Sequence, residues 1–232
     1  MKIFAIGDLH LPGGDDKAMD VFGAHWADHF TRIAADWRAR VTPRDVVLVP
    51  GDISWAMDLA GALPDLLAIG ALPGRKVLLR GNHDYWWSSL TQVRAALPAG
   101  MYALQNDALL LDGRVFCGTR GWVCPGDPPQ SEEDARIYRR EVLRLDLSLR
   151  AAARVAPGVA PVALMHFPPC NDKGEPSGFT ALLEAYGAAA LVYGHLHGAG
   201  LKHAAPAVWA GIPFYQVSCD GLGFVLREVE IA

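Results

Sequence analysis

The chain has 232 residues, 51% of them hydrophobic and 20% charged, with a formal net charge of −4. That size and apolar content allow a well-buried core within one domain spanning 1–232. The acidic balance argues against a protein that coats nucleic acid, though not against phosphate substrates, because bound cations can supply a positive field locally.

The run 2–6 reads as a first strand and meets Gly7-Asp8 before a signal-peptide core could form, so a cytoplasmic protein is expected. Met19, Phe22, Trp26, Phe30, Ile33 and Trp37 recur at three- and four-residue steps. They predict an amphipathic helix, capped by Asp15 or Asp16. Further strand-like runs fall at 46–49, 76–79, 115–117, 162–165 and 191–193. Most lack period-2 alternation, which predicts strands covered on both faces. Short helices are expected after Pro64, around 88–97 and around 179–186.

The segment 121–130, with Pro125, Pro128 and Pro129, is the one long loop. A long helix from Glu132 to Arg154 follows, opened by Ser131 with Asp134 three residues on, a capping-box pattern. Tyr138, Val142, Leu145 and Leu149 make its inner face, and Glu132–Arg136 and Asp146–Arg150 are outer i,i+4 pairs. Its six arginines are offset by five acids, Glu141 among them, so a solvated charged face is expected. The runs 214–217 and 223–229 flank Asp220-Gly221 and predict an antiparallel hairpin. Strands alternating with helices make the chain α/β. Cys117, Cys124, Cys170 and Cys219 form no C-x-x-C pair, which argues against a zinc knuckle, and their small number fits a reducing compartment. No apolar stretch approaches the roughly 18 residues of a membrane span.

Five segments each follow a predicted buried strand: Gly7-Asp8-Leu9-His10, Gly51-Asp52, Gly81-Asn82-His83-Asp84, Met165-His166 and Gly194-His195-Leu196-His197. Ligands of α/β sheets gather at strand carboxyl ends, so these segments point to one shared site. Taken singly, each has a plainer explanation as a turn, a cap or a core histidine. Together, Asp8, His10, Asp52, Asn82, His166, His195 and His197 offer the mixed oxygen and nitrogen donors of two divalent cations, with Mn, Fe or Zn favoured over Mg or Ca. His83, next to a ligand residue, is placed to face substrate.

In order and spacing these motifs resemble those of the calcineurin-like metallophosphoesterases, from Asp8 to His197. The resemblance implies a four-layer αββα sandwich of two mixed sheets with a dinuclear centre between them. It assigns Asp8, His10 and His197 to one metal, Asn82, His166 and His195 to the other, and Asp52 to the bridge. It also implies in-line attack at phosphorus by an activated water, with His83 assisting the leaving oxygen and Asp84 orienting His83. In the Ser/Thr protein phosphatases of this family the second motif resembles GDxVDRG and the third GNHE. Here Trp55 stands where the second motif has a carboxylate, and the third ends in Asp84. Protein phosphatase activity is therefore not expected, and the sequence looks closer to the small prokaryotic phosphohydrolases. The expected substrate is a small phosphate monoester, diester or nucleotide conjugate. The complete ligand set argues against a catalytically silent scaffold.

Around the motifs, Arg120 could hold a phosphate oxygen or make a structural ion pair, and Arg80 is expected in a buried pair. Tyr85-Trp86-Trp87, Trp55 and Trp122 could stack a base, although core packing is the commoner use of such residues. His25 and His29 lack a metalloprotease glutamate and are expected to pack on the surface or in the core.

Overall fold

The structure, a computed structural model, describes residues 1–13, 19, 23–126 and 129–231. One sheet holds β1 (Ile3–Ala5), β2 (Val46–Val49), β3 (Arg75–Leu79) and β4 (Met101–Leu104), all parallel, with β11 (Arg227–Glu228) antiparallel on β1. The other runs β5 (Ala108–Leu111), β6 (Arg114–Thr119), β7 (Val162–Met165), β8 (Ala190–Tyr193), β10 (Ile212–Gln216), β9 (Val208–Trp209). Its four inner strands are parallel, while β5 and β9 are antiparallel edges. Both sheets are therefore mixed.

Alternate residues of the same strands serve two cores. Phe4, Val47, Val49 and Leu78 pack beneath α1 (His29–Arg40), α2 (Leu59–Gly70) and α3 (Leu90–Ala96). Ile3, Ala5, Val46, Leu48 and Val77 face Phe116, Val162, Leu164 and Val192 of the opposite sheet. On the outer side of the second sheet, Val115, Cys117, Ala163 and Leu191 meet α4 (Glu132–Val155) and α5 (Gly178–Ala185). A strand sandwiched on both faces needs apolar residues at every position, which is why the sequence shows no period-2 pattern. The layers are the α/β, αββα order expected.

Several local expectations change. The runs around Asp220-Gly221 form no hairpin: β10 pairs with β8 and β11 with β1, in different sheets. Between them, Val217 donates its N–H to Tyr193 O and accepts from Gly7 N, so the chain crosses from one sheet to the other instead of turning back. The first helix starts at His29, after a 3-10 turn at Ala24–Trp26; Asp15, Asp16 and Phe22 lie outside the described residues. Helix α2 starts before Pro64, because Asp58 Oδ1 accepts from Gly61 N at 2.9 Å and caps the earlier turn.

In α4 the Ser131 cap and the Asp146–Arg150 pair are as expected, whereas Arg136 pairs with Glu133. Glu141 is not on a solvated face: it is buried, accepts from Thr119 Oγ1 at 2.7 Å and pairs with Arg144 at 2.6 Å. All four cysteines are free and buried. Among the described residues no helix is long and apolar enough to cross a membrane.

Candidate metal centre

The five motif segments leave the carboxyl ends of β1, β2, β3, β7 and β8 and converge. Two of them are tied together through the backbone, Asp8 N to Gly51 O at 3.0 Å and His10 N to Asp52 O at 2.9 Å. Asp8, His10, Asp52 and His195 all adopt left-handed backbone, with φ of 57°, 46°, 52° and 73°. Side-chain-bearing residues rarely take that conformation, and such strain concentrates at functional sites. Glycine earns its place by close approach: a Cβ on Gly81 would strike the Asp52 carboxylate, and one on Gly194 the Asp8 carboxylate.

The side chains form two adjacent groups. In one, His197 Nε2 lies 3.3 Å from His10 Nε2 and 3.6 Å from Asp8 Oδ1. In the other, Asn82 Oδ1 lies 2.6 Å from His166 Nε2 and 3.1 Å from His195 Nδ1, with the two ring nitrogens 3.2 Å apart. Asp52 Oδ2 stands between the groups, 3.4 Å from His166 Nε2 and 3.8 Å from His10 Nε2. Its Oδ1 is taken by the backbone N–H of His83 at 2.8 Å. Asp8 also comes within 4.0 Å of His166, but at Nδ1, which donates to the Pro50 carbonyl. Asp8 belongs to both clusters of carboxylate and imidazole donors, with His10 and His197 in one and with Asp52 and His166 in the other.

The donor set fits divalent cations. Burial, with repulsion from neighbouring histidines, lowers His10 and His195 to about 3 despite the opposing charge of Asp8, leaving neutral imidazoles. Burial raises Asp52 to about 9, and the nearby Asp84 and Asp8 add to it. Burial also opposes ionisation of Asp8, but the His197 hydrogen bond and the surrounding histidines hold it at about 2. At neutral pH His10 and His195 thus offer free lone pairs and Asp8 a negative charge, the states in which such groups hold a cation.

Three neighbours decide how the set is held. Asp220 is one, a residue whose sequence context shows only a turn. Its Oδ1 accepts from His197 Nδ1 and its Oδ2 from Gly198 N, both at 2.9 Å, which aims His197 Nε2 inward. Burial would lower His197, but the carboxylates of Asp220 and Asp8 raise it to about 10. Asp84, expected to orient His83, has other partners: its buried carboxylate accepts from the backbone of Gly81, Asp52, Ile53 and Ser54 and from the Trp86 indole. It knits the second and third motif loops together. His83 itself is half-buried; its Nδ1 has no hydrogen-bond partner among the described residues, and burial lowers its pKa.

Two cavities border the centre. One, of about 440 Å³, is walled by His10, Trp26, Trp55, His83, His197 and Asp220. Trp55 stacks on His10 at 4.8 Å between centroids and tilts toward His83 at 4.7 Å. The other, of about 430 Å³, reaches His195 and Phe167 along Cys124, Asp134 and Asn171. Of the aromatic run, Trp86 and Trp87 are core and only Tyr85 is exposed, 6.3 Å from His83. His29 is buried against Leu9 O at 2.8 Å, while His25 lines the first cavity. Arg120 lines neither cavity; its guanidinium lies 4.7 Å over the Trp122 ring. Burial lowers it, Glu141 opposes that, and Arg80, Arg140 and Arg144 reinforce it.

Two mixed sheets packed face to face, with adjacent Asp/His clusters at one end, define a metallophosphoesterase architecture. The chain belongs to the calcineurin-like phosphoesterase family, whose model matches residues 1–199. No curated protein sequence matches it. Among solved structures it is similar to a protein of unknown function from Aquifex aeolicus, at 12% identity and a TM-score of 0.51, covering 98% of this chain and 95% of that one. It is also similar to the phosphopantetheinyl hydrolase of Mycobacterium tuberculosis, at 15% identity and a TM-score of 0.55, with the same coverage of 98% and 95%. At those identities the likeness speaks for the fold alone.

Proposed function

We propose that the protein hydrolyses a small phosphate mono- or diester at a centre of two divalent cations. Asp8, His10 and His197 would hold one ion, Asn82, His166 and His195 the other, and Asp52 Oδ2 would bridge them. The observation that carries this reading is the position of that oxygen between two groups of inward-facing donors, 3.4 Å from one and 3.8 Å from the other. When bound, such a pair of cations acidifies water at neutral pH and neutralises phosphoryl charge.

The chain's own residues supply the rest. Asp220, the Pro50 carbonyl and the His83 backbone N–H fix the tautomers of His197 and His166 and the rotamer of Asp52. His83, with an unpartnered ring nitrogen beside the aromatic cleft, would deliver a proton to the leaving oxygen. Trp55 and Trp26 would bound the leaving group and limit water around it.

The test is turnover of a monoester, a diester and a nucleotide diphosphate conjugate with Mn, Fe or Zn added, alongside elemental analysis. Two ions per chain and hydrolysis of at least one ester are expected. A single ion per chain, or no turnover of any ester with both ions bound, would overturn the reading.

A further inference from the structure

A third cavity lies at the same end of the sheets and shares no residue with the metal ligand groups. It has a volume of about 250 Å³ and is lined by Arg80, Arg120, Arg140, Arg144, Glu141 and Asn106 with their neighbours. Arg80 follows β3, Asn106 follows β4 and Arg120 follows β6, while Arg140, Glu141 and Arg144 all come from α4. Four guanidinium groups thus face one space with one carboxylate among them.

That carboxylate is already engaged. Glu141 is buried, accepts from Thr119 Oγ1 at 2.7 Å, pairs with Arg144 at 2.6 Å and lies 3.7 Å from Arg140 Nε. Arg120 and Arg80 have no carboxylate within ion-pair distance among the described residues. Arg120 has the Trp122 ring, and Arg80 keeps a buried Nε with no hydrogen-bond partner. The buried pair expected for Arg80 is not found among the described residues. Bringing cations together costs free energy that a fold normally offsets with anions, and here the chain provides fewer anions than cations.

We propose that this cavity is a second oxyanion site, separate from the metal centre, that takes a phosphate group. Guanidinium forks match phosphate oxygens in pairs, and the space is smaller than the cavities that hold drug-sized ligands, which suits one compact anion. Its position is informative. Arg80 precedes the Gly81-Asn82 motif, and the Arg120 carbonyl accepts from the backbone N–H of His166 and of Phe167 at 3.0 Å each. The pocket therefore abuts the loops that carry two proposed metal ligands. A phosphate seated there is either a distal phosphate of the substrate or free inorganic phosphate. The substrate assignment rests on the proposed function; the existence of the pocket does not.

The experiment titrates inorganic phosphate into the metal-loaded protein by calorimetry, comparing wild type with Arg80→Gln and Arg140→Gln. Arg140 is exposed and the Arg144–Glu141 pair survives its loss, so a folding defect in one variant leaves the other interpretable. Each variant is expected to bind one phosphate fewer than wild type, or to bind it at least tenfold more weakly. Because the readout is a difference of one site, it holds whether or not the metal centre binds phosphate. The second arm measures KM for a singly and a doubly phosphorylated substrate. A rise of about tenfold in the doubly-to-singly phosphorylated KM ratio assigns the pocket to the substrate. An unchanged ratio with the phosphate site still lost assigns it to free phosphate. Equal phosphate stoichiometry and affinity in wild type and both variants would overturn the proposal.

Discussion

Replacing Asp220 by alanine removes the partner that fixes His197, and the structure bounds the consequence. Two hydrogen bonds of 2.9 Å are lost, to His197 Nδ1 and to Gly198 N, and the imidazole becomes free to rotate its Nε2 away from Asp8 and His10. Removing such an orienting partner typically costs 10- to 100-fold in metal affinity or activity, which is roughly 1.4 to 2.8 kcal/mol at 1.4 kcal/mol per tenfold. The His197 side chain is 32% exposed, so water can replace part of the lost bonding. The lower half of that range, about 10- to 30-fold, is therefore expected for one ion. Competition with a chromophoric chelator measures the affinity, and turnover at rising metal concentration shows whether the site refills. Asp220→Asn keeps an acceptor oxygen for Nδ1–H and should recover most of the loss. An affinity within twofold of wild type in Asp220→Ala would refute the reasoning. Equal losses in the Asn and Ala variants would show that charge, not orientation, is what Asp220 contributes.

Three further outcomes follow from the same geometry. His83→Ala should retain both ions by elemental analysis while turnover falls by about 10² to 10⁴; loss of metal with activity retained would contradict the role given to it. Asp52→Ala should bring metal content from two ions to one or none per chain, and an unchanged content would remove Asp52 from the bridge. Asp45, before β2, accepts from Lys2 N, Thr42 N and Thr42 Oγ1, and Asp45→Ala should cost about 2 kcal/mol at pH 7. Burial would raise its pKa, but those bonds hold it below the usual carboxylate value. Its contribution is then full above the unfolded value of about 3.9 and fades as pH falls through the lower folded value. Urea melts of wild type and Asp45→Ala should differ at pH 7 and converge toward pH 2; a difference independent of pH would show that the ionised carboxylate is not the stabilising form.

The metal-competent residues were legible because glycine, acid and histidine stand together in short motifs directly after apolar runs. In Gly194-His195-Leu196-His197 and Gly81-Asn82-His83-Asp84 the residues that reach the cluster are within a few positions of a strand end. Local chain geometry is enough to put them there once the strands form. The buried character of the strands was legible for a similar reason, since both sheet faces of β1, β2 and β7 are covered and their composition is apolar throughout.

What escaped the sequence depends on partners far away along the chain. Asp220 reads as a turn residue because nothing near it in sequence shows that His197, 23 positions earlier, lies against its carboxylate. Glu141 reads as one more charge on an exposed helix face until Thr119 and β6 are packed against it. Asp84, two residues from Asn82, reads as a partner for the His83 ring, but its carboxylate serves the backbone of the second motif loop and not the ring beside it.

The sequence alone determined the α/β class and the identity of the residues that meet at the strand ends, because hydrophobic burial and glycine-mediated turns act over a few residues; the layer order was implied by the family resemblance of the motifs. Only the tertiary structure decided which nitrogen of each histidine faces inward, which side chains hold His197 and Asp84 in place, and where four arginines share a cavity. Those are matters of distance and direction between side chains brought together by packing, and no local pattern encodes them.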